Sequence, residues 1–115
     1  MTDNIITTRP AGTGDISDLC RIEAECFSEP WSERGFTEFF AQSYSAAYVA
    51  LHGDTVVGYA GMYITFGEGN VTNIAVSYRW RRLGAGRRLI DSLARHEGVD
   101  RLLLEVRVSN LPAIS

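Results

Sequence analysis

The stretch NIAVSYRWRRLGAGRRLI, residues 73–90, carries the pattern on which the fold prediction rests. It begins as an apolar run, passes through a turn with five arginines and two glycines, and continues into apolar residues at helical spacing. A helix that starts at such a turn has unpaired backbone N–H groups and partial positive charge at its first turn. The turn therefore predicts a phosphate site, in which Gly84 and Gly86 let the ligand approach the backbone.

The charge of the whole chain makes this turn conspicuous. Lys and Arg number 11 against 14 Asp and Glu, a net charge of -3, yet no acidic residue lies between Glu68 and Asp91. A protein that coats nucleic acid or an anionic membrane through its bulk charge is thereby disfavoured. A local arginine patch for nucleic acid stays an alternative, although only Trp80 interrupts it as a ring for stacking.

Length and composition predict one globular domain over residues 1–115, with 45% hydrophobic residues. The first ten residues resemble no secretion signal, and the apolar run AAYVAL cannot span a bilayer. Cys20 and Cys26 are spaced for neither a zinc site nor a redox pair, so we expect buried, reduced thiols and no metal. These features together predict a cytoplasmic protein.

Around the basic turn, the periodicities predict an α/β (α+β) fold. A strand over residues 5–9 is followed by a helix that Asp15 caps and a second helix that Ser32 caps. Residues 46–64 predict a β-hairpin, residues 67–70 a turn, and Val71 the start of the next strand. A helix that ends near Gly98 and a strand over residues 101–108 complete a β-α-β unit with parallel strands, after an antiparallel meander. That meander disfavours a dinucleotide-binding fold.

Two carboxylates lie where the pattern is otherwise apolar. Glu105 shares one face of its predicted strand with Leu103 and Arg107, so it is either a functional base or a partner of Arg107. Glu23 falls in the apolar stripe of the first helix, where it either lines a cleft or sits at the solvent rim.

The element order, together with residues 73–90, resembles the Gcn5-related N-acetyltransferases (GNAT). Their signature is Arg/Gln-x-x-Gly-x-Gly/Ala at a strand-to-helix turn, and Arg81, Gly84 and Gly86 occupy it. The segments CFSEPWSE, NIAV and LEVRVSNLPAIS further resemble the bacterial ribosomal-protein alanine N-acetyltransferases. The resemblance implies a mixed sheet with an acetyl-CoA site, and transfer of acetyl to the N-terminal amine of a ribosomal protein.

The resemblance also implies roles for individual residues. Glu105 would remove the proton of the amine, and Glu23, Phe27 and Trp31 would contact the acceptor. The amides of residues 82–87 would hold the diphosphate of coenzyme A, and a bulge at residues 74–76 would align the pantetheine. The implied cofactor contacts are Ile74, Ala75, Val76, Arg81, Arg82, Leu83, Gly84, Ala85, Gly86, Arg87 and Asn110.

The family pattern continues past the position of Ser115 with a Leu-Tyr-x-x-x-Gly-Phe segment and two further strands. We therefore expect a domain incomplete at its C-terminus, without the family's general-acid tyrosine. The exposed sheet edge predicts a possible homodimer. Two alternatives remain: an acetyltransferase for small amines, and a fragment that binds coenzyme A without turnover.

Overall fold

The computed structural model describes residues 5–104, which form a five-stranded mixed sheet with helices on both faces. The strands are β1 (Thr7–Pro10), β2 (Ser45–His52), β3 (Thr55–Thr65), β4 (Glu68–Val76) and β5 (Arg101–Leu104). The helices are α1 (Ile16–Cys26), α2 (Glu33–Ala41) and α3 (Ala85–Ala94), with 3-10 turns at Thr13–Asp15 and Tyr78–Trp80.

The strands lie side by side in chain order. The pairs from β1 to β4 are antiparallel, whereas β4 and β5 are parallel, with Glu68 opposite Arg101 and Val71 opposite Leu104. Parallel neighbours need a crossover, and α3 provides it. The predicted meander followed by a β-α-β unit is confirmed.

Strand β4 separates the two halves of the core. Ile74 and Val76 pack in the cluster that contains α3, whereas Ala75 packs in the cluster that contains α1 and α2. This alternation is expected of a strand covered on both faces. The register against β3 shifts at Thr72, so Val71 also joins the α3 side. The bulge was expected at residues 74–76, and it lies two residues earlier, at Thr72.

The two predicted helix caps have different outcomes. The Ser32 hydroxyl accepts a hydrogen bond from the Gly35 N–H at 3.1 Å, which confirms it as the cap of α2. Asp15 lies at the N-cap position of α1, as predicted, but its side chain makes no capping hydrogen bond to α1 within the described residues. Its carboxylate pairs with the Arg9 guanidinium at 2.8 Å and accepts from the Gly12 N–H at 2.9 Å, because a cation on β1 lies within reach.

Two predicted boundaries also move. The β3–β4 connection is a two-residue turn at Phe66 (φ 49) and Gly67 (φ 80), so β4 begins at Glu68 rather than at Val71. Positive φ at both positions is typical of tight hairpin turns. Helix α3 ends at Ala94, and Gly98 (φ 90) lies in the connection to β5 instead of at the helix end.

Candidate functional site

Of the two glycines predicted to let a ligand approach the backbone, Gly84 lies in the turn between β4 and α3, whereas Gly86 is buried inside α3. Gly84 precedes α3 in the left-handed region at φ 84, and Arg82 is left-handed as well at φ 69. A non-glycine residue in this region is uncommon and costs conformational energy. The turn therefore carries local backbone strain where the chain passes from the end of β4 to the start of α3.

The first turn of α3 offers hydrogen-bond donors to an anion. In the described part of the chain, no side chain caps the helix at Gly84, so its first N–H groups depend on solvent or a ligand. Ala85 and Gly86 are buried, whereas Arg82, Arg87 and Arg88 are exposed around them. Amides ringed by guanidinium groups fit a diphosphate, since arginine can donate two parallel bonds to phosphate oxygens.

Arg81 turns away from this ring of positive charge. Its Nε donates to the Val76 carbonyl at 3.1 Å, its Nη2 donates to the Cys26 thiol at 3.5 Å, and its guanidinium lies 5.0 Å from the Tyr78 ring centre. The side chain therefore fixes the carboxyl end of β4. A direct contact of Arg81 with the cofactor stays a prediction.

Glu25 makes a second link that sequence reasoning missed. Its carboxylate accepts from the Ser77 hydroxyl at 2.9 Å and from the Tyr78 N–H at 2.6 Å. The carboxyl end of α1 is thereby tied to the start of the basic turn. No local pattern could have indicated it, because the partners are more than fifty positions apart.

Cys20 and Cys26 are free thiols, as expected, but they are half-buried rather than buried. Burial raises the pKa of the Cys26 thiol, and the Arg81 guanidinium opposes that rise. Burial also raises the pKa of Cys20. Both thiols therefore stay protonated near neutral pH and are weak nucleophiles.

On the face of β4 opposite α3, Glu23 holds together the corner between α1 and α2. It is 0% exposed, which excludes the solvent rim, and its carboxylate accepts from the Trp31 N–H at 2.7 Å and from Asn73 Nδ2 at 3.0 Å. The Tyr59 hydroxyl donates to it as well. Several donors around one carboxylate compensate for its removal from water.

Asn73 was not singled out from the sequence, yet it joins this network to β4. Glu23 fixes its Nδ2, while its Oδ1 is buried and has no hydrogen-bond partner among residues 5–104. Asn73 and Thr72 also line a small cavity of about 10 Å³ with Trp31 and Tyr59.

The remaining predicted acceptor contacts occupy different environments. Phe27 is buried in the core with α1 and α2, at 6% exposure. Trp31 is half-buried and lines an open cleft of about 570 Å³ along α2. Trp31 therefore lies on a cavity wall, and acceptor contact by any of the three residues stays a prediction.

The predicted thioester-aligning residues Ile74, Ala75 and Val76 are buried on β4 and pair with β3. A Cβ at Gly58 would come within 2.9 Å of the Ala75 carbonyl, so the two strands approach closely there. Glu105 and Asn110 lie outside the described residues. Their proposed roles are therefore predictions from the sequence.

Residues 5–104 contain no group of three or more His, Cys, Asp or Glu side chains placed to hold a metal ion. The helices in this range are too short to cross a bilayer, the longest having 11 residues.

Comparison with known proteins places these features in context. The profile of the acetyltransferase (GNAT) family matches residues 16–115. The chain is 35% identical over 103 residues to a putative [ribosomal protein bS18]-alanine N-acetyltransferase of Bacillus subtilis, covering 86% of this chain and 68% of that protein. It is 32% identical over 106 residues to the Escherichia coli [ribosomal protein bS18]-alanine N-acetyltransferase, covering 90% and 71%.

Solved structures agree on the fold. The Escherichia coli ribosomal-protein-S18-alanine N-acetyltransferase superposes with a TM-score of 0.80 at 30% identity, over 96% of this chain and 72% of that one. A metagenomic aminoglycoside acetyltransferase superposes with a TM-score of 0.72 at 21% identity, over 97% of this chain and 84% of that one. The second likeness concerns the fold alone, and both agree with the mixed sheet described above.

Proposed function

The chain belongs to the acetyltransferase (GNAT) family, and from that premise we propose that it acetylates the N-terminal α-amine of a ribosomal protein, with alanine as the acceptor residue. That it is an acetyltransferase follows from the family itself. The observation that supports the narrower acceptor is the match to two bacterial enzymes named for this reaction, each covered over more than two thirds of its length.

Acetyl-CoA, when bound, supplies the acyl group as a thioester. We assign its diphosphate to the first-turn amides of α3, from Gly84 to Arg87, where the exposed arginines stand. Arg81 would hold the end of β4 beside it through the Val76 carbonyl. The reacting carbonyl would then lie along residues 74–76, and backbone amides there would stabilise the oxyanion.

The acceptor would approach from the corner that Glu23 organises. An α-amine has a pKa of about 7.7–8.0, whereas a lysine amine has one of about 10.4, so an N-terminal acceptor is far easier to deprotonate. One carboxylate acting through water is sufficient for this step. We assign it to Glu105, which the sequence places in a predicted strand over residues 101–108.

Acceptor choice is tested by acetyl transfer from labelled acetyl-CoA to matched peptides. We expect transfer to a peptide that begins with a free alanine, and none to the same peptide with a blocked N-terminus and a free lysine. Transfer to small amines but to no peptide would replace this proposal with the small-amine alternative. A thermal shift with acetyl-CoA and no transfer to any acceptor would support binding without turnover.

The assigned base is tested separately with Glu105→Gln. We expect transfer to fall by about 100-fold or more, while the thermal shift with acetyl-CoA is unchanged. Glu97→Gln, at an exposed position beyond α3, is the matched control. Full activity of Glu105→Gln would remove Glu105 from the mechanism and leave the acceptor assignment standing.

A further inference from the structure

The cleft along α2 is lined by a continuous row of aromatic rings. Tyr44 and Tyr63 have ring centres 5.2 Å apart, Tyr63 and Phe39 are also 5.2 Å apart, and Phe39 and Trp31 are 6.0 Å apart. Tyr44 is 46% exposed although it is a large aromatic residue. The cleft has a volume of about 570 Å³, enough for a long side chain and part of its backbone.

The charge in this cleft is negative. Glu38 lines it beside Gln42, and the nearby Arg34 pairs with Glu38 at 3.3 Å. That ion pair is held weakly, because the two side chains are 88% and 65% exposed, and exposed pairs contribute little stability. Burial raises the pKa of the Tyr63 hydroxyl, and Tyr44 and Glu38 add to the rise, so the ring stays a neutral phenol.

The residues around the cleft also carry a net negative charge. The exposed charged residues of the segment 29–38 are Glu29, Glu33 and Glu38 against Arg34, whereas residues 79–88 contain five arginines and no acidic residue. The surface around α2 therefore favours cations, and the turn before α3 favours anions. Electron-rich rings beside a carboxylate are the surroundings in which proteins bind guanidinium or ammonium groups.

The sheet register gives the separation between this cleft and the proposed reaction centre. Tyr63 pairs with Asn70, which is four positions before Ile74 on β4. Because Thr72 is the extra residue of the bulge, this interval corresponds to the three steps from Tyr63 to Ala60 on β3, about 10 Å at about 3.3 Å per residue. An extended acceptor chain covers this length in about three residues.

We infer that the cleft formed by Trp31, Phe39, Tyr44, Tyr63 and Glu38 binds an arginine or lysine side chain of the acceptor protein, about three to five residues after the acetylated N-terminus. The inference rests on the proposed function, since it assumes that the acceptor is a polypeptide. The cleft selects acceptors with a basic N-terminal segment through ring stacking and an exchangeable ion pair with Glu38. This selection for a basic side chain adds to any recognition of the acceptor's first residue.

The test compares peptides that begin with alanine and carry a single arginine at one of positions 2–6, each against the same peptide with neutral citrulline. Equilibrium binding is measured by calorimetry in the presence of coenzyme A, and acetyl transfer is measured in parallel. At the position that reaches the cleft, arginine is expected to bind about five- to tenfold more tightly than citrulline. The variants Glu38→Gln and Tyr63→Leu should abolish this preference, whereas Tyr63→Phe, which keeps the ring, and Glu97→Gln should retain it.

The outcomes separate the inference from the proposed function. Equal binding of arginine and citrulline peptides at every position, or binding of neither, would overturn the inference. A preference that survives both Glu38→Gln and Tyr63→Leu would overturn it too, because the cation would then bind elsewhere. Peptides that bind with the expected preference but are not acetylated would support the cleft and count against the proposed function.

Discussion

At the scale of single residues, Gly84 shapes the basic turn through its left-handed backbone. A Cβ at this position would meet no atom of residues 5–104 within 4 Å, so replacement by alanine adds conformational strain of about 1–2 kcal/mol. We expect Gly84→Ala to lose that much free energy of unfolding and to weaken acetyl-CoA binding as well, since the amides of α3 follow directly. Urea denaturation and calorimetric titration measure the two effects.

Gly98→Ala is the matched control, because Gly98 is left-handed at φ 90 and its Cβ would likewise meet no atom within 4 Å in the described part of the chain. It follows α3 rather than preceding it. We expect a similar loss of stability and unchanged affinity for acetyl-CoA. Equal affinities for all three proteins would show that the Gly84 turn does not hold the cofactor.

Glu23 is the residue whose removal should cost most. Glu23→Ala leaves the Trp31 N–H, the Tyr59 hydroxyl and the Asn73 amide buried without this acceptor. We expect a loss of about 3–5 kcal/mol in the free energy of unfolding. Glu97→Ala, at an exposed position, should change it by less than about 0.5 kcal/mol. A loss below about 1 kcal/mol for Glu23→Ala would show that water replaces the carboxylate easily.

At the scale of secondary-structure elements, local signals were predictable and competing partners were not. Ser32 caps α2 as predicted, since its partner is three positions away. Asp15 has an equally favourable sequence context, but Arg9 on β1 draws its carboxylate away. The bulge at Thr72 depends on the pairing of β4 with β3, and strand patterning alone does not locate an extra residue.

The link between Arg9 and Asp15 predicts a pH dependence. The Arg9 guanidinium lowers the pKa of Asp15, burial opposes this effect, and the Gly12 N–H adds to it. A carboxyl with a lowered pKa stabilises the fold above its unfolded pKa of about 3.9, and this contribution is lost as the pH falls below that value. Asp15→Asn should therefore unfold more easily than the parent by about 1 kcal/mol near pH 7. The difference should shrink below about pH 4 in urea titrations.

Asp18→Asn is the control, since Asp18 forms an exposed pair with Arg21 on one helix. We expect it to change stability by no more than about 0.5 kcal/mol at neutral pH. A difference between Asp15→Asn and the parent that stayed constant down to pH 3 would mean that the ion pair contributes nothing as a charge.

At the scale of the whole molecule, the site divides into a part that the sequence displays and a part that only folding assembles. The basic turn is contiguous, so the prediction of an anion site could be made from residues 79–88 alone. By contrast, Glu25 meets Ser77, and Glu23 meets Asn73, across fifty or more positions. The Glu23 contact joins α1 to β4, and the Glu25 contact joins α1 to the start of the basic turn. The fold thus connects the basic turn to the corner around Glu23 through α1, and no periodicity in the sequence predicts that connection.

The opposite charges of the two sides predict how the enzyme responds to salt. Screening shortens the reach of electrostatic attraction from about 10 Å at 0.1 M to about 3 Å at 1 M ionic strength. Raising the salt concentration should therefore increase the KM for acetyl-CoA and the KM for an arginine-containing acceptor peptide, each severalfold. The KM for the citrulline counterpart should change little, and kcat should be unaffected. An equal change in KM for the arginine and citrulline peptides would contradict this prediction. It would mean that the negative charge around α2 does not act on the acceptor side chain, and that salt acts only on the attraction of acetyl-CoA to the basic turn.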